Sequence, residues 1–509
     1  MRDQVRALML TTVAIVVMVA GCAIDPTSRT SPSPAAPGTA AVEQSGYATV
    51  PRTLLPAVTD MAFATDRVSA KVPTITTLRT LTTAMAVVRG QFLRARGADS
   101  GTFTLDWAPI GSNVDTIGIA LTVQSGSDQD RTSKVSAVWF DNRTNRSVAS
   151  PGLVRPGYWQ QLTDRIQQLA VARKLDPNRV AASLRDQPAP LGTGPALGFA
   201  KNGDLIVSFS GRTVADGGGT VSLTVPGADA VLVLNEFGLR ARSSATNPVA
   251  NSGLVAGPLQ PDPDLPTPSP TPSGRSASPS GGTSGQPAVV DDRPNTQVTP
   301  DCRRSRCVAL TFDDGPTNET LTIVGHLQAA GVGATFFVLG DVLRKSTGPL
   351  GVLAGAGMDV GSHTWQHVSM PGRSDAEVTE QLRRNAEVIE KVTGMPPLLV
   401  RPPYGAKDAR VAGIVGGQGA AIVNWSVDTL DWQSRDTAKT VLAATKVDAG
   451  DIILMHDIYP TTAAAVPEIL ATLKQKGFLV VPVSELAPPG SFMAGVSYCS
   501  SPLRKNAKC

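Results

Sequence analysis

Between Val308 and Pro482 the chain alternates short apolar runs with stretches of helical periodicity, and this limits its fold more than any other feature. The runs are Val308-Ala-Leu-Thr-Phe312, Ala334-Thr-Phe-Phe-Val-Leu339, Met358-Asp-Val-Gly-Ser362 and Leu398-Leu-Val400, then Ala421-Ile-Val-Asn-Trp-Ser426, Asp451-Ile-Ile-Leu-Met455 and Phe478-Leu-Val-Val-Pro482. Helical patterns separate them, among others over 318–330 and 375–392. The second of these opens with the capping-box pattern Ser374-x-x-Glu377. About seven such strand–helix units require a parallel sheet, and a closed, somewhat irregular (β/α) barrel satisfies the pattern best.

The residues able to do chemistry gather where these runs end. The first run breaks off in Asp313-Asp314-Gly315-Pro316, and the third in His363-Thr-Trp-Gln-His367. The fourth ends in Arg401-Pro-Pro-Tyr404-Gly405, the fifth leads into Asp428-Thr-Leu-Asp431-Trp432, and the sixth closes on Leu454-Met-His456. The C-terminal edge of a parallel sheet is where βα folds build their sites. Asp-Gly-Pro alone is ordinary turn chemistry, and a lone histidine is usually structural. Here, however, three of the chain's four histidines share one edge; the fourth, His326, falls inside a helix and reads as structural or surface. His363 and His367 are four apart, a spacing that predicts a helical turn with both imidazoles on one face. With a carboxylate they would make the two-His, one-carboxylate set of an open zinc-type site.

Taken in order, Thr311-Phe-Asp-Asp-Gly315, His363-x-x-x-His367, Arg401-x-x-Tyr404, Asp431-Trp432 and Leu454-x-His456 resemble the five motifs of the NodB-homology polysaccharide deacetylases, carbohydrate esterase family 4. The likeness spans roughly 307–486 and departs from the family at no catalytic position. It implies Asp314, His363 and His367 as ligands of a divalent metal, zinc first, with cobalt, nickel or manganese as alternatives. It implies Asp313 as general base, with Arg401 holding it ionised. His456 would be the general acid supported by Asp431, the backbone N–H of Tyr404 an oxyanion donor, and Trp432 and Leu454 the walls around an acetyl methyl.

The rest of the 509 residues reads as delivery and spacing. Net charge is +4, and no Lys/Arg-dense patch with interleaved aromatics occurs, so nucleic acid is not an expected partner. Arg2 and Arg6 precede an apolar run too short to span a bilayer comfortably, which reads as an export signal over 1–21. The run ends in Val19-Ala-Gly-Cys22, which resembles a bacterial lipobox and implies a lipid on Cys22. A Pro/Ser-rich stalk is expected over 22–46, and an α+β domain over 47–250. The expected elements of that domain are helices near 78–95 and 158–172, and strands at 103–107, 116–123, 135–140, 205–209, 220–225 and 230–234. The order from Val138-Trp-Phe through Asn202-Gly-Asp to Phe209 looks like the RsiV-type ectodomain of anti-sigma factors, for which wall binding or spacing is the expected role. A Pro/Ser/Gly-rich linker over 251–300 is expected to tether the deacetylase-like region loosely, reaching on the order of 100 Å if stretched. The domain itself is placed at 301–490, with a Cys-containing tail over 491–509.

Without Cys22, four cysteines remain: Cys302, Cys307, Cys499 and Cys509. An even number in an exported chain points to disulfides, and three pairings are open. The sequence thus predicts a lipid-anchored, monomeric, metal-dependent hydrolase facing the cell wall. It would remove N-acetyl groups from a wall glycan, most readily peptidoglycan N-acetylglucosamine or N-acetylmuramic acid. An O-acetyl esterase of xylan type and a catalytically silent glycan-binding lipoprotein are the alternatives.

Overall fold

A computed structural model describes residues 42–56, 58–75, 77–96, 101–127, 130–251 and 291–509. The expected signal segment, Cys22 and residues 252–290 of the expected linker lie outside the described residues. No helix among the described residues is long and apolar enough to cross a membrane.

The first region is built on a six-stranded sheet whose spatial order follows the chain: β1 (Val58–Ala64), β2 (Val68–Ile75), β3 (Thr102–Asn113), β4 (Thr116–Gly126), β5 (Thr132–Asp141) and β6 (Arg146–Ala149). Only the β2–β3 step is parallel, and the helix Arg79–Ala95 supplies the crossover it needs. A smaller antiparallel sheet follows, β7 (Ala196–Phe199), β8 (Leu205–Ser210) and β9 (Thr220–Val225). Between the two, Trp139 meets Phe199 edge-on at 5.8 Å in one shared core.

Three expectations for this region are corrected. Residues 230–234 are not a strand but the end of the helix Gly227–Val233, with Ala230 and Val233 turned inward and Leu232 exposed. So short an apolar run carries no periodicity that separates the two states, and Pro226 with Asp229 in the first turn favours the helix. Folded structure also begins before residue 47, since Val42 is fully buried in the core. The linker stops short of 300: Arg293 donates to the carbonyl of Val154 (2.7 Å), and the Ala149 N–H donates to that of Thr296 (2.9 Å). Beyond residue 290, Arg293, Asp292 and Val298 give the chain groups with which to bond and pack, which a Pro/Ser/Gly tract lacks.

The second region is the expected parallel sheet, with β10 (Arg306–Asp313), β11 (Thr335–Val338), β12 (Asp359–Ser362), β13 (Leu399–Val400), β14 (Ala421–Val423), β15 (Val427–Asp428), β16 (Ile452–His456), β17 (Phe478–Val480) and β18 (Ser497–Tyr498). The ladder runs β15-β16-β10-β11-β12-β13-β14-β18, with β17 pairing the start of β10. One end, β15, and the strand next to the other end, β14, belong to the same stretch of chain. The fifth apolar run is split by a bend at Asn424–Ser426, so that β14 pairs with β13 while β15 pairs with β16. The curled barrel therefore closes through covalent chain rather than through a hydrogen-bonded ladder. Phe312, Phe336 and Ile453 fill the core, and Ser374 and Glu377 cap the helix Asp375–Thr393 reciprocally, as its sequence predicts. The tail is not a free end. β18 extends the sheet beside β14, and the bridges are Cys302–Cys307 and Cys499–Cys509.

The two regions are in direct contact rather than loosely tethered. Arg94, on the helix Arg79–Ala95, donates to the carbonyl of Gly357 (2.5 Å) and to the buried carboxylate of Glu485. Burial pushes the Glu485 carboxyl up, and Arg94 opposes it. Stranding one member of a buried pair costs ~3–5 kcal/mol. Arg94→Ala should therefore lower the urea midpoint of the whole chain, and Arg94→Met with Glu485→Leu should recover most of the loss. An unchanged midpoint in Arg94→Ala would mean that the pair does not hold the two regions together.

Candidate active site

Residues i and i+2 of a strand face the same way, so Thr311 and Asp313 project together from the end of β10. Arg401, just past β13, reaches both. Its Nη1 donates to Thr311 Oγ1 and to Asp313 Oδ1, each at 2.8 Å. Its Nε and Nη2 donate to the carbonyls of Val423 (3.0 Å) and Asn424 (2.9 Å). Arg401 is wholly buried and Asp313 nearly so. Burial raises the Asp313 carboxyl against the pull of Arg401, which makes it a stronger base than a carboxylate in water.

Asp314 turns away from its neighbour because its backbone is left-handed, with φ 77°. Its Oδ1 lies 3.5 Å from Nε2 of both His363 and His367. That oxygen is buried without a hydrogen-bond partner, and one ligand atom from each of the three residues falls within 4.8 Å of the others. His363 Nδ1 faces the carbonyl of Arg401 at 2.7 Å. A carbonyl only accepts, so Nδ1 carries the proton and Nε2 keeps its lone pair for the cluster. Burial, helped by His367 and Arg401, drives His363 down to about 3 against Asp314, leaving the neutral imidazole that ligates metals. An orphaned carboxylate oxygen between two such nitrogens fits a divalent ion of the zinc class.

The predicted helical turn through the two histidines is absent. Residues 363–367 form an irregular loop after β12, with Thr364 at φ 71° and His367 at φ 53°. Two side chains of the helix Asp375–Thr393 shape it instead. Asn385 Nδ2 donates to Ser362 Oγ (2.9 Å) and to the carbonyls of Val338 (2.8 Å) and Thr364 (2.9 Å). Gln381 Oε1, one turn away, accepts the N–H groups of Trp365 (3.1 Å) and Gln366 (2.8 Å).

Across the cleft, strand register sets His456 beside Asp313. Asp431 Oδ1 lies 2.9 Å from His456 Nδ1, while its Oδ2 accepts the His456 N–H (2.8 Å) and the Thr462 hydroxyl (2.7 Å). Burial alone would lower His456, but the bond to Asp431 and the charges of Asp313, Asp431 and Asp314 outweigh it and raise its pKa. Leu454 is buried in β16, and Trp432 is 45% exposed beside Asp431. Tyr404 is left-handed (φ 61°) and 70% exposed, its ring 4.7 Å from that of His367. His326 lies apart from the cluster, on the helix Asn318–Ala330.

Sequence reasoning missed Asn385, Gln381 and Asp457. Asp457 is buried, accepts the Gly315 N–H (3.0 Å) and the Thr320 hydroxyl, and takes the Thr317 hydroxyl on its carbonyl (2.7 Å). It ties the turn after Asp313-Asp314 to the end of β16. Only glycine fits at 315, because a Cβ there would overlap the Asp457 carboxylate. Burial pushes that carboxyl up to about 7. An acidic residue directly after His456 was the available signal.

Comparison with known proteins agrees with this geometry. The polysaccharide deacetylase family model matches residues 301–422. A chitin deacetylase of Colletotrichum lindemuthianum is 33% identical over 199 residues, which cover 36% of this chain and 80% of that enzyme. The chain belongs to the polysaccharide deacetylase family. Two other family members are larger proteins matched over part of their length. The peptidoglycan-N-acetylglucosamine deacetylase PgdA of Listeria monocytogenes is 38% identical over 192 residues, 37% of this chain and 40% of the relative. The peptidoglycan-N-acetylmuramic acid deacetylase PdaC of Bacillus subtilis is 38% identical over 184 residues, 36% of this chain and 38% of the relative. The chain therefore spans about 40% of the length of those two curated relatives. Among solved structures, a T48 deacetylase with substrate aligns with 36% identity over 39% of this chain and 98% of that one, at a TM-score of 0.37.

The donor set makes a metal prediction that does not depend on activity. The purified protein should hold about one divalent ion, and His363→Ala should lose it. Asp313→Asn should retain it, because Arg401 rather than the ligand cluster holds that carboxylate. Elemental analysis showing full occupancy in His363→Ala would overturn the ligand set.

Proposed function

We propose that the chain is a hydrolase that removes N-acetyl groups from a cell-envelope glycan, with peptidoglycan its first candidate. The observation that carries this reading is one buried carboxylate with a differently bonded histidine on either side. His363, 3.8 Å from Asp313, bonds a backbone carbonyl through Nδ1 and turns Nε2 toward Asp314, whereas His456, the register partner of Asp313, meets the Asp431 carboxylate through Nδ1. Amide hydrolysis needs that division, a base for the water and an acid for the departing nitrogen held at once.

A divalent ion, zinc first, held by Asp314, His363 and His367 would supply Lewis acidity and bring the pKa of water toward neutrality. Asp313 takes a proton from the attacking water, and Arg401 keeps that carboxylate aimed and ionised between turnovers. The backbone N–H of Tyr404 donates to the carbonyl oxygen as negative charge builds on it. Asp431 accepts from His456 Nδ1, so Nε2 carries the second proton and delivers it to the nitrogen. Leu454 and Trp432 enclose the acetyl methyl. Peptidoglycan is supported by two relatives named for acetylated peptidoglycan sugars.

Mass spectrometry of muropeptides after treatment with the mature protein should show one acetyl replaced by hydrogen, located by fragmentation on one sugar. An amide anion is too basic to leave unprotonated, whereas a phenolate leaves freely. His456→Ala should therefore lose ~10²–10⁴-fold in kcat/KM on the glycan amide but little on an aryl acetate. A mass loss located on a sugar oxygen rather than on the 2-amino nitrogen would favour the esterase, and equal losses on both substrates would remove His456 as the acid.

The anchor is a separate part of the proposal. The Val19-Ala-Gly-Cys22 ending supports lipidation at Cys22, and the two disulfides fit an extracytoplasmic site. Cys22→Ser should remove the acyl mass from the mature N-terminus and release the protein from membranes. Identical N-terminal masses in the variant and the native protein would rule the anchor out.

A further inference from the structure

Arg435 is an exposed cation beside the cleft that has no acidic partner among the described residues. It follows the Asp431–Ser434 helical turn with its backbone left-handed at φ 46°, and its N–H donates to the Asp431 carbonyl (3.0 Å). Its Nε donates to the carbonyl of Trp432 (2.7 Å), and its guanidinium carbon lies 3.4 Å from the centre of the Tyr459 ring. The Tyr459 ring is in turn 5.9 Å from that of His456. The guanidinium is thus held in place two ring contacts from the residue that faces the scissile nitrogen.

What it does not do is as informative. Among the described residues no carboxylate pairs with Arg435, and its two terminal amino groups make no hydrogen bond. The nearby acids are engaged elsewhere. Asp436 caps the following helix through the Lys439 N–H (3.0 Å) and pairs with the Lys439 ammonium, and Asp428 accepts the Leu430 N–H (2.9 Å). Other arginines of this region do find acids, Arg401 with Asp313 and Arg410 with Asp375. Stacking on Tyr459 orients a guanidinium but leaves its charge unmatched. A fixed planar fork with free donors suits a carboxylate. The cleft also exposes Trp432 and Tyr404, surfaces on which a sugar ring can lie.

We propose that Arg435 is a specificity residue that binds a carboxylate carried by the glycan beside the scissile acetamide, so that the preferred substrate is an acidic, muramic-acid-containing polymer rather than a neutral chitin-like one. This rests on the deacetylase reading above and names the substrate class of the same cleft. The anion concerned is the lactyl carboxylate of a muramoyl unit, which is free only where that unit carries no stem peptide, because the peptide is joined to it as an amide.

The test compares kcat/KM of the mature protein on two oligomers of equal length, one of N-acetylglucosamine alone and one alternating with N-acetylmuramic acid, both without peptides. A charge-assisted hydrogen bond of ordinary strength corresponds to about 10–100-fold. Arg435→Gln should lose about that much on the acidic oligomer, mainly through KM, and at most about twofold on the neutral one. Arg435→Lys should lie between, and reducing the lactyl carboxylate to an alcohol should cancel the difference in the native protein. Equal losses on both oligomers would make Arg435 a positioning residue for Trp432 and Tyr459, and no loss on either would make it a spectator; each overturns the inference while the deacetylase reading stands. A native protein that deacetylates neither oligomer sinks both together.

Discussion

Arg401 is wholly buried and reaches from the end of β13 across the barrel to Thr311 and Asp313 on β10, a strand β13 does not pair with, while also holding the carbonyls of Val423 and Asn424 at the split strand and, through its own carbonyl, the ring of His363. Burying a guanidinium is unfavourable by several kcal/mol unless every donor is met and a countercharge lies close. Asp313 supplies the countercharge, and the bend at Asn424 supplies acceptors that a straight strand would have turned into its ladder. The irregular closure of the barrel and the placement of the Asp313 carboxylate are therefore one feature. A regular strand at 421–428 would leave Nε and Nη2 of Arg401 short of partners.

The same economy runs through the loops. The metal-type cluster and the adjoining turn rest on left-handed residues, Asp314, Thr364 and His367, which cost energy unless their surroundings hold them. Asp457 clamps the turn after Asp314, while Asn385 and Gln381 clamp the loop between the two histidines. They set the orientation of the groups gathered at the sheet edge.

Contact between the two regions changes how the chain is understood as a whole. Arg94 carries a positive charge from the first region to the end of the barrel where β12 begins, and meets Glu485 there. The helix that bears it is also the crossover joining β2 to β3, so the first sheet and the barrel share an element.

By itself the sequence determined the alternating α/β architecture and the residue types at the sheet edge, because apolar period and strand-end motifs are local signals. It also marked Asp313, Asp314, His363, His367, Arg401, Asp431 and His456, since reactive side chains at corresponding ends of successive strands must meet once the sheet is parallel. It could not show how the two histidines meet, and a spacing of four suggested a helix where the fold built a strained loop. That choice belongs to Asn385 and Gln381, which lie 14 or more residues away in sequence and act only after packing. The pairing Cys302–Cys307 with Cys499–Cys509 was decided by where the tail adds to β14, and the end of the linker by which backbone groups near Val154 stood open. The unpaired charge of Arg435 was likewise invisible in sequence, because an arginine's lack of an acid depends on every chain segment folded around it.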